Sequence, residues 1–282
     1  MSKVHDYAQL TKMRLASLVV FSAGIAFLLA PGEVHAFKLV MLIIGGFLVT
    51  GSANGFNQVI ERELDKLMTR TMSRPLPDQR MSVSEALFVC VLLGISGVFI
   101  LTYFMNFTSG ILGFLAIILY TLVYTPLKRK TPFAVFVGAI PGAIPPMLGW
   151  VAATGNLGIV AWTLFSIQFL WQFPHFWAIA WVMDDDYKKA GFNLLPTGRR
   201  DKGSALQALI YTLSLIPVGV MPFVFHISGW MSMIVVLMVT LFFLQRAYLL
   251  YKNCDVDSAR KLMYGSFLYL PVVLIALLLD KI

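Results

Sequence analysis

Phe37-Lys-Leu-Val-Met-Leu-Ile-Ile-Gly-Gly-Phe-Leu-Val-Thr-Gly-Ser-Ala-Asn-Gly-Phe56 runs without a break into Asn57-Gln-Val-Ile-Glu61-Arg-Glu-Leu-Asp65. The first part carries a single charge, and about 20 predominantly apolar residues are enough to cross a bilayer as a helix. The second part is polar at helical spacing. A span that ends on such a stripe reads as a membrane helix with chemistry at its edge. Moving outward in both directions, further long apolar runs recur. Nine spans are expected, near 15–30, 37–56, 84–104, 108–126, 132–152, 159–182, 205–226, 230–250 and 262–279. The chain reads as an all-α polytopic membrane protein forming a single domain over 1–282.

Composition agrees. Of the 282 residues, 59% are hydrophobic and 13% charged, whereas soluble domains average about 45–50% apolar and about 25% charged. That excludes a soluble domain and a disordered chain. An outer-membrane barrel is excluded too, since its strands would be short and alternating. Val34-His35-Ala36 loosely resembles a signal-peptide cleavage site. However, the polar lead-in through Arg14 is long and eight spans follow, so the first run reads as a retained helix.

The net charge of +8 does not imply nucleic acid, because its placement is a topology signal. Of the 22 lysines and arginines, only Lys38 and Lys281 fall on one side of the alternating connectors. The positive-inside rule then puts the N-terminus in the cytoplasm and the C-terminus outside, which nine spans satisfy. No presequence rich in Arg and Ser precedes the first span, so a bacterial plasma membrane is expected. Cys90 and Cys254 fit neither a redox nor a zinc spacing and read as small apolar residues. Two connectors on the basic side are long, near 57–83 and 183–204, and long loops are where function concentrates.

The first long connector carries the strongest motif. Asn57, Glu61 and Asp65 stand at i, i+4 and i+8, which places three oxygen donors on one helix stripe. At a membrane edge such a set suits Mg²⁺ that keeps several waters and bridges to phosphate. Arg70 and Arg74 follow one turn apart and can fork onto an anion. The same residues also fit a solvated helix end with i,i+4 ion pairs. In Tyr124-Thr-Pro-Leu-Lys128-Arg-Lys-Thr-Pro132, Tyr124 and Lys128 can reach the same phosphate, or serve as a plain interfacial anchor.

Two further runs lie deeper. Trp171-Gln-Phe-Pro-His175-Phe-Trp177 holds the one histidine inside a span, a ligand or proton carrier, or else a polar residue satisfied between helices. The aromatic residues around it suit a flat macrocycle or an isoprenoid tail, and equally a lipid-facing belt. Gly138-Ala-Ile-Pro141-Gly142-Ala-Ile-Pro145-Pro146-Met-Leu-Gly149 is expected to break or bend the fifth span. Irregular backbone at that depth belongs in the wall of an internal chamber, or in a packing kink.

On these motifs, together with Asp186-Tyr187-x-x-Ala190-Gly191 before Leu195-Pro196, the whole chain resembles the UbiA superfamily of intramembrane prenyltransferases. Within it the chain is most similar to the haem-directed branch. The resemblance implies a nine-helix bundle around a chamber open to the bilayer. It implies farnesyl diphosphate and haem b as substrates, with haem O and diphosphate as products. It also implies Mg²⁺, and a haem A synthase or terminal oxidase downstream. By resemblance, Asn57, Glu61 and Asp65 hold Mg²⁺–diphosphate, while Arg70, Arg74, Tyr124 and Lys128 grip the diphosphate. His175, Asp186 and Tyr187 are candidates for haem or for the second loop. The chain departs from the family's aspartate-rich second motif. Asp184 to Asp186 are contiguous, and Tyr187, Lys188 and Lys189 stand where acids are expected. A second metal is therefore expected to be weak or missing, with Lys188 or Lys189 supplying charge to the diphosphate. Prenyl transfer to a quinone precursor is the competing enzyme reading. A transporter is the competing reading of another class, and it calls for ionisable residues at mid-membrane.

Overall fold

A backbone in hydrocarbon must satisfy its own N–H and C=O groups, so each apolar run folds as a helix. The computed structural model describes residues 2–282. The first half contains α1 (Lys3–Leu10), α2 (Met13–Leu29), α3 (Ala36–Asp65), α4 (Val83–Ile100), α5 (Phe107–Ile118), α6 (Thr125–Leu127) and α7 (Ala134–Thr154). The second contains α8 (Ile159–Val182), α9 (Asp184–Lys189), α10 (Lys202–Leu213), α11 (Leu215–Val224), α12 (Trp230–Asn253) and α13 (Val256–Leu279). A π-helical turn, Leu101–Met105, extends α4, and another, Leu119–Tyr124, joins α5 to α6.

Among the described residues, seven of these units are long and apolar enough to cross a membrane, and α1 with α2, bent by 50°, forms an eighth. The ninth expected span is α8. Its 24 residues reach about 36 Å at the helical rise, and it carries Gln168, Gln172 and His175 within its length.

The span expected to end near residue 56 runs on as helix through its polar stripe to Asp65, with no Gly or Pro to stop it after Gly55. Thirty residues make about 45 Å of helix against a hydrocarbon core of roughly 30 Å. The last turns, carrying Asn57, Glu61 and Asp65, therefore stand clear of the lipid.

The expected break in the fifth span does not occur: α7 runs continuously from Ala134 to Thr154 with three prolines inside it. Pro146 cannot donate to the Gly142 carbonyl, and Gln168 of α8 donates to it instead at 2.7 Å. Gln172 donates to the Ala139 carbonyl at 2.9 Å. Gly142 has no side chain because a Cβ there would collide with the Gln172 amide. The carbonyl that Pro146 leaves free is thus taken up by a polar seam between α7 and α8. This seam lies between two apolar clusters. One is centred on Leu42, Val49, Leu101 and Val151, the other on Phe173, Trp181, Phe243 and Tyr269, and α7 contributes to both.

Candidate active site

The α3 stripe forms as its spacing requires, and its three side chains are buried. Asn57 is 2% exposed, Glu61 4% and Asp65 0%. Each is matched to a cation from a different part of the chain. Lys12 Nζ donates to Asn57 Oδ1 at 3.1 Å. Lys128 Nζ lies 2.5 Å from Glu61 Oε1, and Arg74 Nη1 lies 2.7 Å from Asp65 Oδ2. Arg74 and Lys128 were expected here. Lys12 was not, since in sequence it is one more topology lysine ahead of the first span.

Local structure explains how each cation arrives. Polar residues of α3 close the end of α1. Gln58 Nε2 donates to the carbonyls of Gln9 and Leu10, both at 2.8 Å, and Asn54 Nδ2 donates to Thr11 O at 3.2 Å. Those bonds satisfy carbonyls that a helix end leaves free and hold the elbow at Lys12 in a left-handed conformation, φ 51°. Arg80 ties the same helix to the first connector through Asp6, Gln9 and Ser73 O.

On the other side, the π turn ends with Thr125 donating its hydroxyl to Tyr120 O at 2.8 Å and accepting from Asn57 Nδ2 at 3.1 Å. π turns are rare and often sit at functional sites. One turn on, Lys128 is held between the rings of Tyr124 and Phe192, 5.1 and 5.2 Å from their centroids. Gly138 leaves room for Tyr124, since a Cβ there would come within 2.6 Å of the ring.

The second long connector folds back onto the first. Asp186 accepts from the amides of Thr69 and Arg70 at 2.9 and 3.3 Å. Lys189 bonds Asp186 at 3.1 Å and Thr69 Oγ1 at 3.0 Å. Arg70 lies 5.8 Å over the Tyr187 ring, and Met68, Ala190 and Phe192 pack beneath. Asp186 and Tyr187 thus join the two connectors. Partial burial pushes the Asp186 carboxyl up, but the two amides and Lys189 outweigh it and hold its pKa at about 2. Lys188 pairs with Asp184 at 2.7 Å. Among the described residues, neither Lys188 nor Lys189 partners Asn57, Glu61 or Asp65, and each pairs with an acid of its own connector.

His175 is not brought to the stripe. Its Nδ1 lies 2.7 Å from Ser266 Oγ on α13, with Trp171 stacked on the ring at 4.5 Å. The Ser266 hydroxyl donates to Met263 O at 2.5 Å, so its lone pair is left to accept from Nδ1–H. This assigns the tautomer from the network and leaves the lone pair on Nε2. Trp171 Nε1 donates to Ser266 O at 3.0 Å and fixes the same surface.

Among the described residues no three His, Cys, Asp or Glu side chains converge on a metal position. The stripe offers two carboxylates and one amide oxygen, and Asp65 Oδ1 is buried without a hydrogen-bond partner. Such an orphan is costly unless something fills it. Mg²⁺ uses one or two carboxylates and completes its shell with water and phosphate oxygens, so the donor set fits it. A pocket of about 420 Å³, lined by Ile60, Glu61, Leu64, Thr125 and Pro126 with Arg129 and Lys130 at its rim, leads to Glu61.

A multi-pass membrane bundle that gathers buried carboxylates and cations at the end of one helix offers oxygen donors for a cation and positive charge for an anion. The chain belongs to the UbiA prenyltransferase family, whose sequence model matches residues 17–270. Among its relatives is the protoheme IX farnesyltransferase of Cytophaga hutchinsonii, 51% identical, with 100% of this chain and 99% of that one aligned. The protoheme IX farnesyltransferase of Flavobacterium psychrophilum is 48% identical over 98% of this chain and 94% of its own. Two solved structures share the fold. A digeranylgeranylglyceryl phosphate synthase superposes with a TM-score of 0.83 at 21% identity, covering 99% of both chains. A UbiA homolog from Archaeoglobus fulgidus bound to GPP and Mg²⁺ gives 0.63 at 12% identity, covering 96% of this chain and 99% of that one.

Proposed function

We propose that this chain transfers the farnesyl group of farnesyl diphosphate to a vinyl group of haem b with addition of water, releasing haem O and diphosphate. The observation that carries the reading is the buried stripe of Asn57, Glu61 and Asp65, each matched to a cation from a different segment. The choice of acceptor rests on the full-length relatives that bear the protoheme IX farnesyltransferase name.

In the reaction the farnesyl C–O bond breaks with its electron pair on the diphosphate. Lys12, Arg74 and Lys128 stabilise that charge from fixed positions, which costs no rearrangement at the moment of reaction. Asn57, Glu61 and Asp65 would hold Mg²⁺, which when bound supplies Lewis-acid stabilisation to the leaving group. Tyr124 and Phe192 keep water from Lys128. The vinyl π electrons form the new C–C bond, and water adds to the resulting cation with loss of a proton. The free Nε2 lone pair of His175 serves as a haem-iron ligand or accepts that proton. The connectors face the cytoplasm of a bacterial plasma membrane, where diphosphate substrates are made, and a haem A synthase or terminal oxidase takes the product.

The test is a reconstituted assay with haem b, farnesyl diphosphate and Mg²⁺, read by the mass of extracted haem. The expected product is heavier by one farnesyl and one water. Unmodified haem alongside a prenylated quinone precursor would overturn the choice of acceptor.

A further inference from the structure

The lipid-facing seam between α10 and α12 has no part in the chemistry above. It holds a cavity of about 440 Å³ lined by Leu209, Leu213, Leu241, Leu244, Gln245 and Tyr248. That volume lies in the range of small-molecule sites, about 300–1,000 Å³. At this end α10 stops at Leu213, and α11 begins at Leu215. Pro217 cannot donate to the Leu213 carbonyl, and Thr212 and Ser214 bond back to Ala208 O and Ile210 O at 2.8 and 3.0 Å.

The seam is patterned along its length. On α10, Lys202, Leu206, Leu209 and Leu213 fall at i, i+4, i+7 and i+11; on α12, Leu241, Gln245, Tyr248 and Lys252 do the same. Lys202 Nζ lies over the Tyr251 ring at 5.4 Å, so the helices are antiparallel and both lysines are at the basic end. Each stripe thus passes from a leucine floor to an exposed lysine over about 16 Å of helix. Among the described residues neither lysine has an acidic partner, and Gln245 and Tyr248 make no side-chain hydrogen bond. The Tyr251 ring fixes Lys202 without neutralising it.

We infer that this groove binds an anionic phospholipid, with an acyl chain along the leucines, Gln245 and Tyr248 at the glycerol ester level, and the phosphate between Lys202 and Lys252. The charge of the two free lysines argues for an anionic headgroup over a zwitterionic one, and basic clefts between membrane helices at this level recognise such headgroups.

The test is native mass spectrometry of the full-length protein in detergent, with phosphatidylglycerol or phosphatidylcholine of identical acyl chains. The expected result is retention of phosphatidylglycerol about ten-fold over phosphatidylcholine. Lys202→Gln with Lys252→Gln should remove that preference while leaving farnesyl transfer intact, since neither residue belongs to the site. Leu213→Trp, and independently Leu241→Trp, should reduce retention of both lipids by filling the groove. Equal retention of the two lipids by the unmodified protein would overturn the proposal. So would an undiminished preference in the lysine variant, or displacement of phosphatidylglycerol by farnesyl diphosphate, which would make the groove a substrate port. A dimer that Leu213→Trp splits would assign the groove to a second copy and equally overturn it.

Discussion

Glu61 and Lys128 are each at most 9% exposed, and 2.5 Å apart they form a buried pair whose halves are unequal in consequence. Removing one partner of such a pair costs about 3–5 kcal/mol, because the other charge is left buried alone. Lys128→Met should therefore lower the unfolding temperature in detergent, and Lys128→Met with Glu61→Gln should restore most of it. Turnover should stay low in both, by roughly 10²–10³-fold, because a fixed donor to the leaving group is gone and, in the double variant, a proposed metal ligand with it. Recovery of turnover along with stability would show that Lys128 is purely structural. At His175 the relevant neighbour is Ser266. Ser266→Ala removes the acceptor that fixes the Nδ1–H tautomer, and such neighbours are worth about 10–100-fold where a histidine binds metal. The expected outcome is a 10–100-fold fall in haem modification with farnesyl diphosphate binding unchanged.

At the scale of elements, the two connectors act on the site through each other. Asp186→Ala should raise amide hydrogen exchange at Thr69 and Arg70 and loosen the segment that carries Arg74. The Asp186 carboxyl is held down at about 2, so its contribution is fully present above the ordinary carboxylate range and disappears as pH falls through about 2. Exchange protection at these amides, corrected for intrinsic rates, should be flat from pH 5 to 8 and lost only in strong acid. A loss near neutrality would assign the clasp to another group. In the membrane, Gly142→Ala should displace Gln172 and destabilise the α7–α8 seam, which a melting curve would register. How much of this was legible follows from range. Asn57, Glu61 and Asp65 were readable because their relation is helical spacing within one element. Lys12 was not, because its role depends on an elbow closed by Asn54 and Gln58, more than forty residues away. Pro146 misled for the same reason: the donor that takes up the carbonyl it leaves free, Gln168, is on α8.

For the whole molecule, an all-helical bundle with seven or eight strongly apolar spans, and the clustering of cations in alternate connectors, were visible in hydropathy and charge alone. The same end collects the stripe, both long connectors and the two lysines of the lipid groove, so binding and chemistry share one membrane edge. The cation-matched stripe at the end of α3 is the proposed diphosphate site. Its most direct measurement is binding of radiolabelled farnesyl diphosphate to the purified protein across a Mg²⁺ titration, without haem, for the natural sequence and for Asp65→Asn. Mg²⁺ should strengthen binding in the first and have little effect in the second. Identical binding and identical Mg²⁺ dependence in both would contradict it.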